Sequence, residues 1–150
     1  MFRLVRSVHE YRKIELDHMY RKDKFHGVIL SLLGASTVIL GATGAHQLRP
    51  KISPEAYERF EIGFFYQAFH LMVLLLVWSS RKISSRTKPW IYRLMGLGLL
   101  FFCGSLYLSA TRELLPFDPW FSGPMTPIGG LLFILGWGAL AWGIVQKKRG

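Results

Sequence analysis

Charged blocks and long apolar runs alternate along this chain. A run of about 20 apolar residues, rising 1.5 Å per residue as a helix, is what crosses a bilayer hydrocarbon core. Four runs qualify: about 25–45 (FHGVILSLLGASTVILGATGA), about 60–79, about 90–110 and about 124–145. Pro127 falls in the first turn of the last run, where a missing N–H breaks no helical bond. The pattern predicts an all-α integral membrane four-helix bundle, preceded by a basic juxtamembrane segment at 1–24 and followed by a basic tail at 146–150.

Small residues predict how the helices meet. Lipid supplies no hydrophobic drive between helices, so close backbone approach marks the contacts. Gly27, Gly34 and Gly41 recur every seven residues, with Ser31 and Ala45 on the same side, and Gly129, Gly136 and Gly143 repeat the pattern. A seven-residue repeat keeps one seam turned to a partner in a left-handed crossing. Both sets are therefore read as helix-packing seams, leaving Ile29, Leu32, Leu33 and Leu40 toward lipid. The third run carries Gly96 with Cys103 on one face and Gly98 with Ser105 and Ser109 on another, which gives it neighbours on both sides. Trp90, Trp120, Phe121 and Trp142 fall near run ends, where an aromatic belt is expected. The 111–123 connection, TRELLPFDPWFSG, is expected to lie along the interface.

Composition changes this picture in one respect. The chain is 51% hydrophobic yet carries a net charge of +10. Nucleic acid is not the expected partner, because no basic face interleaved with aromatics occurs on a soluble module. The charge has a topological reading instead. Of the 19 Lys and Arg, 15 fall before the first run, between the second and third or at the start of the third (Arg93), or after the fourth. By the positive-inside rule, both termini then face the cytoplasm, or the matrix of a mitochondrion. Residues 1–24 have the arginines of a mitochondrial presequence, but also Glu10, Glu15, Asp17 and Asp23, which such presequences avoid. The segment reads either as a solvated basic stretch near anionic headgroups or as one docked on a neighbouring protein. Cys103 is the single cysteine, so no intrachain disulfide or metal-binding cysteine pair is available.

Candidate chemistry is confined to a few polar groups inside the runs. Gln67 and His70 share a helix face with Gly63 and Leu74, opposite Phe65, Phe69, Met72 and Leu76. Polar groups at membrane depth belong in the bundle interior. With Tyr66, Tyr107 and His46 they form the candidate intramembrane cluster, either structural or solute-contacting. Bis-histidine haem ligation fails on depth: His46 closes the first run, His70 lies roughly 15 Å in from the end of the second, and His26 is near the opposite side. A proton relay needs carboxylates or histidines in series, and no Asp or Glu lies inside the runs beyond Glu61 at a rim. Nucleophilic chemistry lacks an acid partner and an elbow motif, and the histidine spacing suits no metal. No catalytic residue, cofactor or metal is expected. The expected role for Gln67 and His70 is hydrogen bonding between helices, with His46 closing its own helix.

Four short motifs occur in order, one per run: GATGAH at 41–46, YQAFH at 66–70, GSLY at 104–107 and TPIGG at 126–130. The set resembles the small YgdD-like family, whose animal members are called transmembrane protein 256, over about residues 25–145. The resemblance implies four transmembrane helices in a bacterial or mitochondrial inner membrane, and no mechanism. Two features depart from the family pattern, the longer charged segment before the first run and the SATRE that follows GSLYL. The expectation is a non-catalytic accessory or scaffolding subunit of an energy-transducing, respiratory-type inner-membrane complex, the mitochondrial compartment favoured over the bacterial. Its partners would be membrane lipids and other membrane subunits or a second copy of itself. The rival is a small transporter or channel with a polar site at Gln67 and His70.

Overall fold

A computed structural model of the chain describes residues 24–147. The readings of the N-terminal segment up to Asp23 and of Lys148 and Arg149 in the tail lie outside them. Among the described residues four helices are long and apolar enough to cross a membrane: α1 (Lys24–Leu48), α2 (Pro54–Ser79), α3 (Lys88–Ala110) and α4 (Ser122–Val145). Their mean hydropathies run from 1.6 to 2.0, and no strand occurs among the described residues. The helices run up and down. One end of the bundle carries the start of α1, the α2–α3 connection and the end of α4. The other, here the far end, carries the short α1–α2 loop and the α3–α4 connection with its single 3₁₀ turn, Arg112–Leu114.

Local chemistry sets the ends. α2 begins at Pro54 rather than near Phe60, because Ser53 Oγ accepts from Ala56 N (3.2 Å) and Pro54 opens the first turn. Hydropathy alone misses this polar first turn. At the other end of α2, the Lys88 ammonium donates to the Trp78 carbonyl (3.3 Å). The α2–α3 connection is tied to α4, since Ser84 N donates to the Gly143 carbonyl (3.0 Å). Two π-turns interrupt the α-helical ladder, at Gly44–Leu48 closing α1 and at Leu99–Cys103 inside α3.

The core lies among α2, α3 and the edges of their partners. Of the most apolar window of each helix, 39% is buried in α2 and 17% in α1, which makes α1 the peripheral helix. The larger cluster joins Leu30, Leu71, Leu74, Val77, Ile83, Ile91 and Met95, and a smaller one joins Leu48, Phe60 and Ala110 toward the far end. α3 packs directly on both α2 and α4. α2 and α4 meet only through long side chains, so α3 holds them together.

The two glycine seams behave differently. On α4, all three glycines meet a neighbour. A Cβ on Gly129 would collide with the Phe102 backbone nitrogen, one on Gly136 would lie 2.7 Å from Met95, and one on Gly143 3.0 Å from Ile83. On α1, Gly27 abuts the Trp78 ring and Gly41 the Phe64 ring, but a Cβ on Gly34 would meet nothing within 4 Å. Ser31 and Ala45 are exposed, and Gly44, pressed against Phe60, takes over at the far end. The reason is geometric. α1 leans on bulky rings of α2 at its two ends, and the middle of the seam is left open. Leu40 also departs from expectation, packing partly buried against the smaller cluster. Trp90, Trp120, Phe121 and Trp142 are all exposed at helix ends.

Candidate functional site

The candidate cluster is built on the middle of α2. Gln67 and His70 are 8% and 3% exposed, so both are withdrawn from lipid. They do not, however, act on one partner. Three residues apart on a helix, they diverge by about 60°, and that is enough to send them into different gaps.

Gln67 faces α1 and α3. Its amide nitrogen donates to Thr37 Oγ1 (2.8 Å), and its amide oxygen accepts from the Tyr107 hydroxyl (2.9 Å). Thr37 passes its own proton back to the Leu33 carbonyl (2.9 Å). A donor–acceptor chain thus runs Tyr107, Gln67, Thr37, Leu33 and ties three helices at one level.

His70 faces α4. Its ring stacks on Phe133 with centroids 3.7 Å apart and 16° between planes. Nδ1 lies 2.9 Å from the Tyr66 carbonyl and Nε2 lies 3.4 Å from the Trp137 indole nitrogen. A carbonyl only accepts and an indole N–H only donates. The two partners therefore fix the neutral tautomer with the proton on Nδ1. Such a ring has no free lone pair to offer a metal and no spare proton to pass on.

Tyr66 contributes its backbone carbonyl and its ring, which packs 4.6 Å from Phe102 and 5.8 Å from His70. A further rung joins α3 to α4. Ser105, fully buried, shares a 2.7 Å hydroxyl contact with Thr126, and these two also bond back to Phe102 and Ser122 carbonyls. His46 does not join the cluster. It is exposed on the terminal π-turn of α1, levels away from Gln67. His26 stacks on Tyr92 at 4.4 Å near the opposite end. Among the described residues no three His, Cys, Asp or Glu side chains converge on a point. The carboxylates of α2, at Glu55, Glu58 and Glu61, are exposed in its first turns.

Two clefts flank the row. One, of about 440 Å³ among α1, α2 and α3, is walled by Leu30, Leu71, Leu74 and Cys103 with Gln67 and Tyr107 on its lining. The other, of about 510 Å³ among α2, α3 and α4, is walled by Tyr66, Phe69, His70, Phe133 and Trp137. The arrangement can clamp helices and offer an amide, a phenol and an imidazole edge to an apolar guest.

Thr37, Thr126 and Trp137 are the residues that sequence reasoning missed. The hydroxyl of a Thr in a helix bonds to the carbonyl one turn back and so reads as neutral. Trp137 left a usable signal: an indole in the middle of an apolar run is displaced from the belt and needs an acceptor.

The four motifs are thereby joined in space. Glycines of GATGAH receive rings of α2, YQAFH bonds to GSLY through Gln67 and Tyr107, and GSLY bonds to TPIGG through Ser105 and Thr126. No solved structure matches the chain. Residues 40–130 match the family described as "Protein of unknown function (DUF423)". A UPF0382 membrane protein of Staphylococcus saprophyticus is 36% identical over 111 residues, covering 73% of this chain and 88% of its own. Another, from Haemophilus influenzae, is 34% identical over 120 residues, with 80% and 93% covered. The UPF0382 inner membrane protein YgdD of Escherichia coli K12 is 32% identical over 129 residues, with 84% and 93% covered. The chain belongs to this family of membrane proteins, described as of unknown function.

Proposed function

We propose that the protein is a non-catalytic accessory subunit that acts by packing against other membrane proteins in an energy-transducing inner membrane. The observation that carries this reading is the fate of the buried polar groups. Gln67, His70, Thr37 and Ser105 are each engaged by protein within the bundle. Their role is to fix register, and what the protein presents outward is apolar: Leu32, Val38, Ile39, Phe65, Met72 and Ile134 are all well exposed. The inner-membrane assignment draws on the relative in Escherichia coli, named an inner membrane protein. The relatives are bacterial and lend no support to the mitochondrial compartment over the bacterial one. The test is native mass measurement of the full chain extracted gently from its own membrane. Recovery in a larger assembly with other integral subunits is the expected result; a free monomer under every mild detergent overturns it.

One observation favours a second reading, a small transporter or channel. Both clefts reach the polar row, one at Gln67 and the other at His70. That reading requires a solute flux in proteoliposomes that His70→Leu abolishes while the melting temperature stays where it was.

A further inference from the structure

At the far end of the bundle a third cavity, of about 760 Å³, opens between the start of α2, the end of α3 and the α3–α4 connection. Its walls include Ala56, Arg59, Ala110, Arg112, Glu113 and Asp118, continued by Leu115, Pro116 and Phe117. Arg59 is the anomaly. Its Nε is buried and donates to nothing, the one such buried side-chain nitrogen or oxygen among the described residues. The other arginine of the cavity is engaged, with Arg112 Nη2 2.9 Å from Asp118 Oδ2, and Arg59 has no ion pair of its own among the described residues. A guanidinium that is half-buried with an orphaned N–H is an incomplete arrangement, because withdrawn polar groups are ordinarily paired.

We propose that this cavity holds the phosphodiester of a membrane phospholipid, with Arg59 as its anchoring cation. Three features select that ligand. The planar guanidinium of Arg59, a lining residue of the cavity, carries paired N–H donors that match two oxygens of a phosphate side by side. The cavity sits at the end of apolar helices among exposed Leu114, Phe117 and Trp120, the depth at which headgroups lie. Glu113 and Asp118 on the same walls disfavour an ion carrying two charges, which fits a diester with one and not a monoester or inorganic phosphate near neutral pH. The apolar wall of Leu115, Pro116 and Phe117 then meets the glycerol and first methylenes. This site stands apart from the Gln67 and His70 row and is independent of the accessory-subunit reading.

The experiment uses the full chain, purified in detergent and delipidated, followed by native mass spectrometry and thermal melting. Added ligands are phosphatidylethanolamine, phosphatidylglycerol, diacylglycerol (the same chains without the phosphate) and inorganic phosphate. The expected result is one retained phospholipid per chain and a raised melting temperature, with no such effect from diacylglycerol. Arg59→Gln weakens phospholipid binding tenfold or more. Arg59→Lys keeps the charge, loses the Nε donor and falls between; it carries the test if the glutamine variant does not fold. Arg112→Gln, whose partner is already Asp118, changes binding less than Arg59→Gln. Equal phospholipid retention by wild type and folded Arg59 variants overturns the proposal, as does diacylglycerol binding equally well. Stabilisation by inorganic phosphate with phospholipid inert overturns the diester assignment in favour of a soluble anion.

Discussion

Gln67 is the residue on which the bundle's middle depends most, because it uses both ends of its amide at once. Substitution by leucine keeps the volume but leaves the Tyr107 hydroxyl without its acceptor, while Thr37 keeps its bond to Leu33. Interhelical hydrogen bonds in membranes contribute about 0.6 kcal/mol each on average and up to about 1.7. Gln67→Leu is therefore expected to lower unfolding free energy in micelles by about 1–2 kcal/mol, and an unchanged value would show that the two bonds are not made. His70 offers a sharper check. Nitrogen-15 spectra of the ring are expected to show the neutral imidazole protonated on Nδ1, with the Nε2 resonance moving in Trp137→Phe. A ring protonated on Nε2 would contradict the contact with the indole. At this scale the sequence exposed Gln67, His70 and Tyr107, since amides, imidazoles and phenols are conspicuous among aliphatic neighbours. It grouped His46 with them as well as setting it at the close of the first helix; the structure has it exposed on that last turn, because adjacency to an apolar run does not say on which side a side chain emerges.

Between elements, the decisive contact is the crossing of α3 and α4 at Gly129. The neighbour of its Cα is backbone, the Phe102 nitrogen and Cα, and backbone cannot swing away as a side chain can. Gly129→Ala should force the helices apart at a cost of about 1–3 kcal/mol, the usual range for overpacking. Gly34→Ala meets open space and should be neutral, or stabilising by up to about 1 kcal/mol through helix propensity. Melting curves of the two variants in one detergent make the comparison, and equal losses would show that the seven-residue repeat of α4 is not its interface. On α4 each glycine of the repeat meets a neighbour, and on α1 Gly27 and Gly41 do while Gly34 does not. A spacing reports which residues share a face, whereas the partner's shape decides which of them are filled. Rings of Trp78, Phe64 and Phe60 meet α1 at Gly27, Gly41 and Gly44 and pass Gly34 by. The Pro54 start of α2 was legible too, in Ser-Pro-Glu, a capping signature that hydropathy overrides.

Across the whole molecule, the up-and-down path of four helices puts Gln47 and Leu114 at the far end and Ser85 and Gln146 at the other, all four exposed. By the positive-inside rule, the excess of Lys and Arg on the Ser85 side predicts that this side faces the cytoplasm or matrix. Single cysteines at these positions, in a Cys103→Ser background, are expected to react with an impermeant maleimide in two pairs. Gln47 and Leu114 should label from the outer side, and Ser85 and Gln146 only after permeabilisation. Mixed pairs would break the topology, and inverted pairs would break the charge argument.

Helix number, membrane class, polar candidates and the order of the four motifs were written in the sequence, because each follows from local spacing: twenty apolar residues span a bilayer whatever they pack against. Which gap Gln67 and His70 enter, that they enter different ones, that Thr37 and Trp137 receive them, and that Arg59 Nε is left beside a cavity with no hydrogen-bond partner among the described residues were decided only by tertiary structure. These are contacts between residues 30 to 67 positions apart in the chain, or gaps left between elements. Their geometry depends on how three helices tilt against one another, and no single stretch of sequence encodes that.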